Sequence, residues 1–256
     1  MGPDNVALEL YTLREQTKED FPGALRAVAE AGYKAVEVAG YGKHTPQELR
    51  SLLDELGIEA ISAHVPYQRF EQEFDKVIEE LHTLGCEYAV VPYTSEELRN
   101  SPEAVKRLAE TFNRWGERCA TEGLRFGYHN HAFEFEPLGE ETMYDLLAAQ
   151  TDPAFVDLQI DVYWVMYAGL DPIELIRRHS GRVPTLHAKE MSNKPDRSDT
   201  TVGDGITPWP QLIAAANASG TQWLIVEQED DPANTYRDIK RSFENLRNLI
   251  SMTLGS

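Results

Sequence analysis

Short apolar runs alternate with longer segments of helical period along the whole 256-residue chain, and the alternation repeats eight times. The runs that read as strands are Val6 to Leu13, Ala35 to Ala39, Ala60 to Val65, Tyr88 to Pro92, Arg125 to His131, Val156 to Asp161, Thr185 to Lys189 and Trp223 to Gln228. Most are continuously apolar rather than strictly alternating, as parallel strands covered on both faces should be. Helix ends are written between them. Thr45-Pro46-Gln47-Glu48 is a capping box with proline at the first helical position, Ser101-Pro102 opens a later helix, and Asp20 is placed to cap an earlier one. Gly32, Gly57 and Gly85 follow helical segments as left-handed stops. Eight strand–helix units of about 30 residues, without a break in composition, predict an α/β chain folded as a single (β/α)8 TIM barrel over residues 1–256. The GxGxxG turn of an open dinucleotide-binding sheet is missing from the sequence.

Charge and composition narrow the partners. With 43 acidic against 24 basic residues the net charge is −19, a field that repels a phosphate backbone and disfavours nucleic acid. No stretch reaches the roughly 20 apolar residues of a membrane span, and the N-terminus carries neither a basic nor an apolar signal region, so a cytoplasmic protein without a membrane partner is expected. Cys86 and Cys119 lack CxxC spacing and read as ordinary buried residues rather than disulfide or metal partners. A small carbohydrate is the expected ligand, and the last helix and long loops offer surfaces for a homo-oligomer.

A barrel brings every strand end to one rim, so ionisable residues far apart in sequence converge there. Glu37, His64, His129, His131, Asp161, His187 and Glu227 all lie in or just after strand candidates. Asp161, His187 and Glu227, on the sixth, seventh and eighth strands, form an O, N, O donor set for one divalent metal, Mn2+ first among Mn2+, Mg2+, Co2+ and Zn2+. A fourth donor should come from strand five or its loop: Glu134, with His129 and His131 as alternatives. Glu227 or Glu134 is placed to remove a proton beside a carbonyl, and His64 and His131 to shuttle protons. Lys189 shares the side of His187 and is suited to a substrate oxyanion. Glu37, His129, Trp164 and Tyr11 complete the expected substrate contacts. Gly203-Asp204-Gly205, after strand seven, reads as a turn more readily than as a phosphate cradle.

With these residues in order, the chain resembles the sugar phosphate isomerase/epimerase superfamily, whose fold is the xylose-isomerase-like TIM barrel. The resemblance runs over essentially the whole length. It is carried by His129-Asn130-His131-Ala132-Phe133-Glu134-Phe135, an HNHxxEF motif of a bacterial branch, with Asp161-Val162-Tyr163-Trp164, Leu186-His187-Ala188-Lys189-Glu190, Val202-Gly203-Asp204-Gly205 and Trp223 to Glu229. The resemblance implies a Glu/Asp/His/Glu metal site, carried onto Glu134, Asp161, His187 and Glu227. In the ketose 3-epimerase branch the first glutamate lies within strand five, where this chain has His129-Asn130-His131. The leading expectation is a metal-dependent isomerase or epimerase acting on a small sugar or keto sugar through an enediolate. The alternative is a lyase of the same fold, performing β-elimination on a 3-keto glycoside or dehydrating an inosose-like ring. An abasic-site endonuclease of related fold is disfavoured by the acidic charge.

Overall fold

The computed structural model describes residues 1–230 and 233–255. Its centre is a closed barrel of eight parallel strands: β1 (Val6–Glu9), β2 (Ala35–Val38), β3 (Glu59–His64), β4 (Tyr88–Val91), β5 (Arg125–His129), β6 (Val156–Asp161), β7 (Thr185–Ala188) and β8 (Trp223–Val226). Each strand pairs with its neighbours in sequence, and β1 closes on β8 through Val6 to Leu8 against Leu224 to Val226. The TIM barrel expected from the eightfold alternation is the fold that forms.

The outer helices begin and end much as their sequences dictate. The helix over Pro46–Leu56 starts with the full capping box: Thr45 accepts from the Glu48 N–H and Glu48 accepts from the Thr45 N–H. The helix over Arg14–Ala31 starts earlier than Asp20. It kinks there, at φ −143° and ψ 86°, and the Asp20 carboxylate caps the second segment by accepting from the Gly23 N–H at 2.9 Å. Among the described residues, no helix is long and apolar enough to cross a membrane. Cys86 and Cys119 are free and buried, as expected.

Two strands stop short of their expected ends. β1 ends at Glu9, and Leu10–Leu13 turn into a 3-10 helix whose first N–H groups include Tyr11, bonded to Glu9 Oε1. Leu10 and Leu13 are buried, so their apolarity reports packing and not strand geometry. β5 ends at His129, because the next residue, Asn130, turns its side-chain oxygen to accept the Asp161 N–H.

Alternation along the strands builds the lumen in layers. Ala7, Ala35, Ile61 and Ile225 form a small apolar layer separate from the main core between strands and helices. Two residues further along three of these strands come Glu9, Glu37 and Glu227, all buried. On β3 a register slip pairs Val36 with Ala60 but Glu37 with Ser62, which sets the Ser62 hydroxyl on Glu37 at 2.5 Å. The apolar floor thus gives way within one layer to a charged one.

Candidate active site

The charged layer holds four potential ligands on four consecutive strands. One donor atom each from His129, Asp161, His187 and Glu227 lies within 4.8 Å of every other, and all four residues are buried. At that separation two carboxylates repel by roughly 3.5 kcal/mol at an effective dielectric of 20. The site is therefore built for positive charge. Asp161 shows the need directly: its Oδ1 caps the helix over Val162–Tyr167 through the Trp164 N–H, while Oδ2 is buried with no hydrogen-bond partner. Burial pushes the Asp161 carboxyl up to about 7, the neighbouring Lys189 cation opposing.

The ring nitrogens point the right way for a cation, and a single amide settles which. Gln159 donates its amide N–H groups to Glu37 Oε2 at 2.8 Å and Thr185 Oγ1 at 3.1 Å, so its oxygen must be the acceptor for two imidazoles. These are His64 Nε2 at 2.7 Å and His129 Nδ1 at 3.0 Å, each of which must carry the proton. His129 then presents the lone pair of Nε2 towards Asp161 Oδ2, 4.0 Å away. His187 Nε2 donates to Glu37 Oε1 at 2.7 Å, which leaves Nδ1 facing Glu227 Oε2, also at 2.7 Å. The His129 lone pair and two carboxylates thus converge with His187 Nδ1, whose proton on Glu227 a divalent cation would replace, and a carboxylate and an amide stand behind the imidazoles, as second-layer partners of metal-bound histidines usually do. The residues fit a divalent cation.

The electrostatics follow from these contacts. Burial opposes the Glu37 charge, but His64 and His187 hold its carboxyl well below the usual range. Burial likewise opposes Glu227, which Lys189 and His187 keep well below the usual range. His187 is burdened by burial yet held up to about 10 by Glu37 and Glu227, whereas burial, followed by the nearby His187, pushes His129 well down. Burial disfavours the Lys189 cation, and Glu227, Asp161 and Glu229 outweigh it and raise its pKa. Lys189 Nζ lies on Glu229, 3.4 Å from Glu227 and 3.8 Å from Asp199, and 5.1 Å from the centre of the Trp164 ring.

Glu134, expected as the first ligand, is outside this cluster. It is fully buried behind the strand-five end, where Oε1 accepts from the Tyr128 hydroxyl at 2.7 Å and Oε2 from the His131 N–H at 2.7 Å. Both oxygens are used in holding the loop, and it is His129, the alternative donor, that lies beside Asp161, His187 and Glu227. His129 stands in the cluster and also lines the cavity above it, where it was expected to meet substrate. Glu37 lies beneath the cavity lining, where its oxygens accept from Ser62, Gln159, His187 and His64.

Above the cluster opens a cavity of about 680 Å³. His64, His131, Trp164, Tyr11 and Glu227 line it as expected, and Glu9 lines it unexpectedly. The His131 ring lies parallel to Phe133 with 5.5 Å between centres, and its Nδ1 is buried without a partner. Lys189 reaches the same region through Glu229, Glu227 and Trp164. The Gly203-Asp204-Gly205 turn is filled by the protein itself: Glu190 accepts from the N–H groups of Gly203 and Thr207 and from Trp209 Nε1, so it cradles a carboxylate instead of a phosphate.

Residues 25–249 match the family model of the xylose isomerase-like TIM barrel. The chain belongs to that family. Its relatives include the inosose dehydratase of Geobacillus kaustophilus, 28% identical with 93% of each chain covered, and that of Lacticaseibacillus casei, 26% identical with 83% of each covered. Among solved structures of the xylose isomerase-like fold, a sugar phosphate isomerase/epimerase from Parabacteroides distasonis superposes with a TM-score of 0.80 at 25% identity, covering 96% of this chain and 99% of that one. The IolI protein, whose structure holds a zinc atom, superposes with a TM-score of 0.72 at 13% identity over 98% of each chain, a likeness of fold alone. As a member of the xylose isomerase-like family the protein is an enzyme, with side chains suited to a divalent metal.

Proposed function

We propose that the protein is a metal-dependent carbon–oxygen lyase that dehydrates a cyclic polyhydroxy ketone of the inosose type. The observation that carries this reading is His129 standing where a third carboxylate would otherwise complete the set with Asp161 and Glu227. Isomerisation and epimerisation return a proton to carbon, which calls for a second mobile base beside the metal. His129 has Nδ1–H committed to Gln159 and Nε2 turned to the ligand cluster, so it holds no proton to exchange. The similarity to inosose dehydratases over most of both chains supports the same choice, and the isomerase expectation yields to its lyase alternative.

His129, Asp161, His187 and Glu227 would hold the metal, and their two-nitrogen, two-oxygen set suits Mn2+, Co2+ or Zn2+ better than Mg2+. A divalent cation there supplies Lewis acidity to a ketone oxygen and a neighbouring hydroxyl. Lys189, cationic among Glu227, Asp161 and Glu229, stabilises the charge that grows on the ketone oxygen as the α-proton leaves. His131, which lines the cavity, takes that proton. Trp164 and Tyr11 offer faces to the ring, and His64 moves protons on the opposite wall. Incubation of the Mn2+-loaded protein with an inosose, followed by mass spectrometry, tests the reading. Loss of one water from the substrate is expected, and a mass-neutral product would overturn it in favour of isomerisation.

A further inference from the structure

The cavity above the ligand cluster is larger than a single polyol ring requires. Its volume of about 680 Å³ falls within the range of about 300–1,000 Å³ that encloses drug-sized ligands. The additional space lies to one side. Val38 and Ala63 are paired across β2 and β3, and each follows or precedes a residue directed into the lumen, Glu37 and His64. Alternation along the strands therefore turns Val38 and Ala63 outward, towards the layer of helices. Val77, Leu81 and Leu84, one stripe of the helix over Tyr67–Leu84, line the space with them. All five border the same cavity as His129 and Glu227, so an apolar arm is continuous with the ligand cluster.

The chemistry of the arm restricts what enters it. Its five side chains are buried and none carries a hydrogen-bonding group. The space is also kept open: Ala63 brings only a methyl group to the wall, and a Cβ on Gly40, at the neck, would meet no atom within 4 Å. Interiors that serve packing alone close such gaps to nearly crystalline density. The polar groups at the rim satisfy one another. Glu80 Oε2 accepts from the Tyr41 hydroxyl at 2.6 Å and from Arg69 Nη1 at 2.7 Å, so the carboxylate is matched by a cation and presents no free charge to the arm. A ring hydroxyl moved into this space would give up water and gain no partner. Hydroxyls belong at the other end, where His64, His131 and Glu227 stand.

We infer that the arm is a subsite for an apolar substituent, aryl or alkyl, carried on the polyhydroxy ring that the cluster holds. The inference rests on the reading of the cluster as the seat of such a ring, and it extends the substrate to a ring bearing one apolar group. Continuity ties the occupant to the substrate: a group attached to a ring at His131 and Glu227 reaches the arm without crossing a wall. Burying a phenyl ring there strengthens binding by about tenfold or more.

The test separates the arm from turnover by using an inositol, which keeps the ring and its hydroxyls but has no carbonyl and is not dehydrated. Dissociation constants for the Mn2+-loaded protein are measured for the inositol and for the set of its positional mono-O-benzyl ethers. At least one ether should bind about tenfold or more tightly than the inositol. Val77→Phe, which fills the arm, should bring that ether back to within about threefold of the inositol. Retained Mn2+ affinity, read by calorimetry, shows that the variant is folded, and Leu81→Phe, one turn further along the same stripe, replaces it if it is not. No ether binding more tightly than the inositol would overturn the subsite and leave the dehydratase reading standing. An advantage that survives filling of the arm would overturn it as well, because the benzyl group would then lie elsewhere. Failure of the inositol and every ether to bind would sink the ring reading, and the arm as its extension with it.

Discussion

The two sides of the barrel mouth use the same residue types for opposite ends. On β5 to β8, His129, Asp161, His187 and Glu227 bring ligand atoms within 4.8 Å of one another; His187 bonds Glu227, but Asp161 Oδ2 is left without a donor. On β1 to β3, Glu37 has each oxygen met by donors: Ser62 and Gln159 on one, His64 and His187 on the other. Glu37 is thus a satisfied bracket that fixes the imidazoles, whereas Asp161 keeps one buried oxygen without a donor. The lesson is that a buried carboxylate at a strand end is not by itself a ligand. What separates the two is whether its oxygens already have donors.

The largest effect should come from the unsatisfied side. Asp161→Asn keeps the helix cap to Trp164, since asparagine caps as well as aspartate, but it removes the charge. Mn2+ affinity measured by calorimetry should fall by more than about 100-fold, beyond the loss expected for an outer partner, with the fold retained by circular dichroism. Unchanged affinity would break the comparison at its strongest point.

Next is Glu134, which is satisfied and outside the cluster. Burial pushes its carboxyl up to about 7 despite the Tyr128 and His131 hydrogen bonds. A carboxyl whose folded pKa lies above its unfolded value of about 4.5 stabilises the fold fully below that value and loses the contribution as pH rises through about 7. Relative to Glu134→Gln, the metal-free wild type should lose on the order of 3 kcal/mol of unfolding free energy between pH 4.5 and 7.5, read from denaturant midpoints. Parallel curves for the two proteins would contradict this placement.

On the bracket side, Glu37→Gln should weaken Mn2+ binding by about 10- to 100-fold, because His187 loses the acceptor that fixes its tautomer. The nitrogen-15 shifts of His187 in the metal-free protein should move from those of an imidazolium towards those of a neutral ring, because the Glu37 charge helps hold its pKa up. Ser62→Ala, which removes only one donor to Glu37, should cost the smallest factor, about threefold in affinity. A larger loss for Ser62→Ala than for Glu37→Gln would reverse the proposed order of dependence.

The barrel was legible from the sequence because eight apolar runs at regular spacing admit few closed arrangements. Asp161, His187 and Glu227 were legible because each stands near the end of a clear strand. For the fourth donor the sequence left Glu134, His129 and His131 open, and of these it is His129 that the barrel brings within reach of Asp161, His187 and Glu227. Reading β5 through His131 placed the strand end two residues late, so Glu134 appeared to overhang the rim when it instead folds back to Tyr128 and the His131 N–H. Glu9 was missed for the same reason: with β1 drawn through Leu13, an acid at the strand's end looked like one in its middle. The signal available was a lone carboxyl inside an apolar run, the signal that pointed to Glu37. Gln159 carries no charge and gave no warning, although its amide sets two imidazole tautomers and braces Glu37 through contacts that only the closed barrel brings together.

The central claim is that His129, not Glu134, completes the cation site. Anomalous diffraction from a Mn2+-soaked crystal tests it most directly. A single peak coordinated by His129 Nε2, Asp161, His187 Nδ1 and Glu227, with Glu134 still bonded to Tyr128, is the expected result. A peak ligated by Glu134, or the absence of any peak among these four side chains, would contradict it.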